Sequence, residues 1–353
     1  MKYWRPGLLV LAFLNLITGM LSGLGRLGWQ IPMPEAYAHH GAIMVGGFLG
    51  TLIALEKVIP LKRPFFFLGP LMSALSIAVF FRGDFHIAVA MQIGAGILFL
   101  GVYITYLRSQ YSNELVMALI GVLCWVIGTS LLFWKQFYPM AFPWYIGFLL
   151  FTIVAERLEL SRFLPVTQRQ RHVLFGFLGI FLLSLILPFH KAGNFLAGGA
   201  LILTGSWLLR FDVIRITLRK EALARFTAIA LLCGYIALIV EGFMLALVSP
   251  EQPFGYDMMV HTFFLGFAFL MIFAHGPIIL PGVLGLSAKP YHPSFYFPVA
   301  LLIFSLVLRL AADSFLIPID YRAYSGWITM GAILLYFVMM ATATLRAFMH
   351  SRR

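Results

Sequence analysis

The chain is a succession of long apolar segments, each separated from the next by a few charged, proline or glycine residues. A helix needs about 20 mostly apolar residues to cross a bilayer. Dividing the chain at its polar breaks gives twelve candidate spans: 7–29, 37–59, 64–82, 86–107, 114–134, 140–160, 172–190, 194–217, 224–248, 256–280, 293–314 and 324–348. The sequence therefore predicts an all-α polytopic membrane protein of about twelve transmembrane helices.

Composition supports the membrane assignment and excludes other classes. Hydrophobic residues make up 61% of the 353 residues and charged residues only 11%, a balance that excludes a soluble domain of this length. The net charge of +12 comes from residues between the apolar runs, so we expect the lipid bilayer and no nucleic acid as partner. All predicted connections are short, which predicts a single transmembrane domain over residues 1–353.

The basic residues predict an orientation, because positively charged loops stay in the cytoplasm. With the N-terminus inside, six of the 25 Lys and Arg residues fall outside: Arg26, Arg82, Lys135, Lys191, Arg309 and Arg322. The other 19 fall on the inner side, among them Lys2, Arg162, Arg352 and Arg353. We therefore expect a multi-pass protein of the bacterial inner membrane with both termini in the cytoplasm.

Histidines mark the outer ends of the second and tenth predicted helices. Helix two begins with His39 and His40, and helix ten enters from the same side with His261. Two neutral imidazoles on separate helices at equal depth can hold a haem iron between them. Neighbouring glycines would admit the cofactor, and their spacing does not decide between His39 and His40, although we favour His40. The alternative is that the paired histidines cap helix two and that His261 bonds to a neighbouring carbonyl.

A second polar layer lies toward the predicted inner face. In helices two, six and ten a Gly-Phe pair precedes an ionisable residue by eight positions, counted from the Phe: Phe48 and Glu56, Phe148 and Glu156, Phe267 and His275. A period of four helices predicts three four-helix units around a pseudo-threefold axis, as in subunit I of haem-copper oxidases. Phe243 and Glu251 share the offset outside this scheme.

Two interpretations of the inner layer remain open. Glu56, Glu156 and His275 could form a proton path or a second metal site, for copper or another metal. The other interpretation is a set of ion pairs: Glu56 with Lys57 or Arg63, and Glu156 or Glu159 with Arg157 or Arg162.

Further ionisable residues lie near the predicted outer side. Arg309 and Asp313 are four residues apart, a spacing that favours a local ion pair. Arg309 and Arg322 could also bind haem propionates. Glu241, in the outer part of helix nine, either caps a polar path or bonds to a neighbouring helix.

Two segments resemble a known family. His39-His40-Gly41-Ala42-Ile43-Met44-Val45-Gly46-Gly47-Phe48 and His261-Thr262-Phe263-Phe264-Leu265-Gly266-Phe267 resemble the histidine-bearing helices of NnrS proteins. These are twelve-helix bacterial membrane proteins, similar in plan to haem-copper oxidase subunit I, that contain haem and protect denitrifying or nitrosatively stressed cells. The resemblance implies haem b held by His40 or His39 and by His261, and a role in nitric oxide or denitrification-linked redox metabolism.

The chain also departs from the oxidase pattern. The oxidases hold copper with a histidine on helix six and a pair near the start of helix seven, whereas helix six here offers Glu156. Helix ten has His261 alone and then His275, where the oxidases have His-x-His. We therefore do not expect dioxygen reduction, and a small gas or an electron donor is the expected partner.

Two other functions remain as alternatives. The first is a proton-coupled secondary transporter that uses Glu56, Glu156 and His275, although two-halved transporters repeat after six helices rather than four. The second is an assembly factor, which would use none of these residues.

Overall fold

The computed structural model describes residues 4–160, 166–286 and 289–351, and within them all regular secondary structure is helical. The orientation predictions for Lys2, Arg162, Arg352 and Arg353 lie outside these residues. The helices are α1 (Trp4–Arg26), α2 (Pro34–Tyr37), α3 (His40–Leu61), α4 (Pro64–Phe80), α5 (Phe85–Ser109), α6 (Asn113–Lys135), α7 (Tyr138–Leu160), α8 (Gln168–Ser184), α9 (Asn194–Phe211), α10 (Ile214–Thr217), α11 (Ala222–Leu247), α12 (Gly255–Leu284), α13 (Tyr296–Asp313) and α14 (Asp320–Ser351).

Ten helices in the described part of the chain are long and apolar enough to cross a membrane: α1, α3, α5, α6, α7, α9, α11, α12, α13 and α14. The predicted spans 64–82 and 172–190 form the shorter helices α4 and α8. The α8 helix has 17 residues and starts with the polar turn Gln168-Arg169-Gln170-Arg171. The chain is therefore a polytopic helical protein with ten such helices, and the predicted total of twelve spans stays a prediction.

The helices form two compact units, unit 1 (Met1–Ala155) and unit 2 (Glu156–Arg353). In unit 1, α1 and α4 pack against α3, and α5 packs against α4 and α6. In unit 2, α11 packs against α9 and α12, and α13 packs against α14. Small residues allow the closest of these approaches: a methyl group built on Gly242 of α11 would lie 2.6 Å from the carbonyl oxygen of Gly198 on α9.

Two helices change from α to π geometry directly after a predicted ligand region. In α3 the π-helical stretch is Ile43–Gly50, and in α12 it is Thr262–Phe269, directly after His261. Long π-helical stretches are rare and occur often at functional sites, because a wider turn alters which backbone groups are bonded. The sequence patterns did not predict these stretches.

Side chains from neighbouring helices bond to the backbone of the first π-helical stretch. Gln92 Nε2 on α5 donates to the Ala42 carbonyl at 3.1 Å, and Ser73 Oγ on α4 donates to the Gly46 carbonyl at 2.7 Å. Buried carbonyl groups need such partners. The local geometry of α3 is therefore stabilised by residues far away in the sequence.

A proline interrupts the backbone bonding of α12 in the same manner. Pro277 lacks an N–H group, so the carbonyl of Phe273, four residues earlier, has no α-helical donor. The Tyr336 hydroxyl on α14 donates to this carbonyl at 2.6 Å. Tyr336 therefore ties α14 to the point where α12 is weakest.

Candidate functional site

His40 is held against α1 by a backbone hydrogen bond. Its Nδ1 lies 2.6 Å from the carbonyl oxygen of Gly19. Since a carbonyl only accepts, Nδ1 carries the hydrogen and Nε2 of the neutral ring carries the lone pair. The ring rests against Gly23, where an added methyl group would lie 3.0 Å from Cε1 of the imidazole.

His39 has a different environment. Its ring stacks on Phe80 with 5.0 Å between centroids, and Phe85 is 5.2 Å away. Its Nδ1 is buried and has no hydrogen-bond partner in the described structure. Only His40 has the backbone-oriented ring that metal-bound histidines usually show, and this geometry favours His40 over His39.

The glycines beside these histidines are filled by protein side chains. A methyl group on Gly46 would clash with the amide of Gln92, and one on Gly47 would clash with the amide oxygen of Asn15. Gly50 faces the ring of Trp125 in the same way. Our expectation that these glycines admit a cofactor is therefore wrong, because the space that they leave is occupied from α1, α5 and α6.

His261 is oriented by the residue four positions before it. Its Nδ1 lies 2.9 Å from the Asp257 carbonyl oxygen and 3.4 Å from Asp257 Oδ1. The carbonyl bond again places the hydrogen on Nδ1 and the lone pair on Nε2. The expected alternative, a bond from His261 to a carbonyl, is thus present, and it is also the usual support of a histidine ligand.

Asp257 is the centre of an ion cluster that sequence reasoning did not single out. Arg309 binds it with two parallel contacts, Nε to Oδ2 at 2.8 Å and Nη2 to Oδ1 at 3.1 Å. Arg322 Nη2 is 3.2 Å from Asp257 Oδ1, and Arg322 Nε is 2.7 Å from Asp313 Oδ1. The expected pair of Arg309 with Asp313 is present at 3.8 Å. Both arginines are therefore engaged with aspartates, and binding of a propionate would have to share or replace these contacts.

Glu56 forms the ion pair that was one of its two expected interpretations. Lys57 Nζ lies 3.0 Å from Glu56 Oε1, with about a quarter of both side chains exposed. The sequence had named Lys57 as a partner on spacing alone. This arrangement favours a structural role for Glu56.

The main polar feature of the inner layer is a buried cluster of Arg157, Asp212, Tyr235 and His275 in unit 2. Arg157 Nη2 is 2.9 Å from Asp212 Oδ2 and 3.0 Å from Oδ1, and its Nε is 3.1 Å from Oδ2. Tyr235 donates its hydroxyl to Asp212 Oδ2 at 2.6 Å. The side chains of Arg157 and Asp212 are 3% and 1% exposed, so this is a fully desolvated pair.

His275 closes the cluster. Its Nε2 lies 3.0 Å from Arg157 Nη1, and its Nδ1 lies 2.8 Å from the Met271 carbonyl. A guanidinium only donates, so Nε2 accepts and His275 is the neutral Nδ1–H tautomer. Its lone pair is used by Arg157, which argues against the expected role of His275 as a metal ligand.

Glu156 lies close to this cluster. It is half-buried on α7, and its carboxylate interacts electrostatically with His275. The sequence had placed Glu156 and His275 in one layer, and the structure brings them together in unit 2. It had not identified Asp212 or Tyr235, and it had paired Arg157 with a glutamate, whereas the ion pair of Arg157 is with Asp212.

No group of three or more His, Cys, Asp and Glu side chains in the described ranges is placed to hold one metal ion. The expected second metal site at Glu56, Glu156 and His275 therefore has no ligand cluster to support it. Axial ligation of haem needs only one imidazole on each side of the iron, and the backbone-oriented His40 and His261 fit that requirement.

The chain belongs to a family described as a domain of unknown function, DUF8744, whose model matches residues 5–345. No curated protein and no solved structure matches the chain.

Proposed function

We propose that this DUF8744 protein is a twelve-span protein of the bacterial inner membrane that binds haem b, with His261 and His40 as axial ligands. The observation that carries the proposal is the same for both residues. Each imidazole donates from Nδ1 to a backbone carbonyl at the start of a helix that then becomes π-helical. A metal-ligating histidine typically has its second nitrogen fixed in this way.

The surrounding residues have defined tasks in this proposal. Bound haem supplies an iron that transfers electrons or binds small gases. Asp257 orients His261 through its carbonyl, and its carboxylate, 3.4 Å from Nδ1, makes the ring a stronger donor. Arg309 and Arg322 hold Asp257 in place and keep positive charge beside the ligand.

The pseudo-threefold plan is part of the same proposal. α1 packs against the π-helical stretch of α3, and α11 packs against that of α12. α6 packs against α7 in the same order, with Gly121 facing the Phe148 carbonyl. Three such pairs, four predicted spans apart, support three repeated units, although α7 is a regular α-helix at this point.

The optical spectrum of the purified full-length protein, recorded with and without dithionite, tests haem binding. We expect a Soret band from protein produced with adequate haem supply, and its absence would refute the proposal. His261→Ala should remove the bis-histidine spectrum, as should His40→Ala, whereas His39→Ala should keep it. The matched control is His292→Ala, since His292 lies in an exposed loop.

The resemblance to NnrS proteins adds nitric oxide as the first gas to test. We propose a protective role in nitrosative stress or in denitrification-linked redox metabolism. A bacterial strain that lacks the gene should grow more slowly with a nitric oxide donor, and the wild-type gene should restore growth. Equal growth of the strain that carries only His261→Ala would contradict a haem-dependent role.

The orientation has its own test. Both termini are proposed to be cytoplasmic, so a fluorescent protein fused to the C-terminus should be bright in bacteria, whereas a periplasmic phosphatase in its place should be inactive. The opposite pattern would reverse the topology.

A proton-coupled transporter is the second candidate, favoured by the contact of His275 with the buried Arg157–Asp212 pair and by the nearby Glu156. Ionisable groups at such depth commonly mark ion or proton paths. A pH-sensitive dye inside proteoliposomes should then report protein-dependent proton movement that His275→Gln abolishes. The absence of such movement from wild-type protein would exclude this candidate.

A further inference from the structure

Glu241, in the C-terminal third of α11, is a buried carboxyl without a partner. Its side chain is 0% exposed, and neither carboxylate oxygen has a hydrogen bond in the described structure. Asp212 and Asp257, by contrast, are both held by arginines. The expectation that Glu241 bonds to a neighbouring helix is therefore wrong for the described residues.

The packing register shows what Glu241 faces. A methyl group built on Gly266 of α12 would lie 2.8 Å from Ala237 Cβ, and one on Gly234 would lie 3.6 Å from Leu270 Cβ. The two helices are thus antiparallel with these residues in contact. Glu241 is two turns beyond Gly234 on the same face of α11. One turn before Gly266 on α12 is Thr262, which this register places level with Glu241.

Thr262 is itself unusual. Its hydroxyl is buried and has no partner in the described structure. Helical threonines usually bond back to a carbonyl, as Thr152 does to Phe148 at 2.7 Å and Thr344 does to Met340 at 2.8 Å. The α11–α12 interface therefore contains an unbonded carboxyl and an unbonded hydroxyl at one level.

No other charged group compensates Glu241. α9 carries Arg210 in its last turn and α10 carries Arg215, and neither bonds to Glu241. On α12, Asp257 and His261 are bonded within the arginine cluster, and His275 contacts Arg157. An ionised carboxylate buried without a partner costs several kcal/mol even after relaxation of its surroundings.

We propose that Glu241 is a proton-binding site inside the membrane span, which takes up and releases a proton with the Thr262 hydroxyl as its hydrogen-bond partner. A proton needs one oxygen lone pair, whereas Ca²⁺ takes six to eight oxygen ligands. The carboxyl and hydroxyl at this level suit the proton. The proposal is independent of haem binding.

The test uses dicyclohexylcarbodiimide, an apolar reagent that adds to protonated carboxyl groups. The carboxyl proton moves to a reagent nitrogen, the carboxylate oxygen bonds to the central carbon, and rearrangement to an N-acylurea leaves the whole reagent mass on the residue. Full-length protein in native membranes is labelled across a pH series, and the modified residue is identified by peptide mass mapping. We expect the label on Glu241, with labelling that falls about tenfold per pH unit above its midpoint.

Variants and ions separate the outcomes. Glu241→Gln should lose the label, whereas Glu251→Gln, in the exposed loop after the same helix, should keep it. Thr262→Val should move the pH midpoint, and an unchanged midpoint would remove Thr262 from the site. Wild-type protein without label on Glu241 would overturn the proposal, and this result needs no variant to fold. Protection by Na⁺ at constant pH, without pH dependence, would also overturn it in favour of a cation site.

Discussion

Asp212→Asn is the substitution that tests the inner cluster most directly. Asp212 accepts hydrogen bonds from Arg157, from the Tyr235 hydroxyl and from its neighbour's backbone N–H, Val213 N, at 2.7 Å. Asparagine keeps the shape but replaces one acceptor oxygen with a donor and removes the negative charge. Arg157 would then be a buried cation without a counter-ion.

The structure sets the expected magnitude. Because the two side chains are 3% and 1% exposed, solvent screens the pair little, and removal of one partner should lower the free energy of unfolding by about 3–5 kcal/mol. Tyr235→Phe removes one hydrogen bond to a charged acceptor and should cost about 1.5–3 kcal/mol. Adding Arg157→Met to Asp212→Asn should recover part of the loss, because the uncompensated charge disappears.

Unfolding in mixed micelles with increasing SDS, followed by tryptophan fluorescence, measures these differences. Glu56→Gln is the matched control, since Glu56 forms a partly exposed pair with Lys57 and should cost about 0–1 kcal/mol. If Asp212→Asn were no more destabilising than Glu56→Gln, the buried pair would not have the energetic role that its geometry implies. A double variant less stable than Asp212→Asn alone would refute the argument about uncompensated charge.

Two further substitutions test the helix interruptions. Tyr336→Phe leaves the Phe273 carbonyl buried without a donor and should cost about 1–3 kcal/mol in the same SDS assay, and an unchanged stability would mean that another group replaces the hydroxyl. Gly46→Ala forces a methyl group into the Gln92 amide and should cost about 1–3 kcal/mol, whereas Gly176→Ala, with open space around it, should be neutral or stabilising. Equal effects of the two alanines would contradict the steric explanation.

Much of the helical plan follows from hydropathy, since ten of the predicted spans are long apolar helices in the structure. The limits of α8 differ from those predicted, 168–184 instead of 172–190. Thr167 and Gln170 form a capping box at its start, a local signal that the sequence contained. Hydropathy missed this start because the first turn of α8 is polar.

The histidine positions were also predictable, but their surroundings were not. Asp257 precedes His261 by four residues, so its place on the same helix face was available from the sequence. Asp212 was missed because it follows the last residue of α9 and reads as a loop residue. The π-helical stretch of α3 could not be predicted by pattern, because its carbonyls are bonded by Gln92 and Ser73 from other helices.

The two units use their buried polar groups differently, and this difference bears on where chemistry takes place. In unit 1, Asn15 and Gln92 bond to backbone carbonyls, which is a structural use. In unit 2, the buried polar groups include Asp212 with its arginine and Glu241 without a partner. Charges at membrane depth are costly and are retained where a function needs them. We therefore infer that His40 contributes to unit 1 mainly as an oriented ligand, while proton chemistry belongs to unit 2.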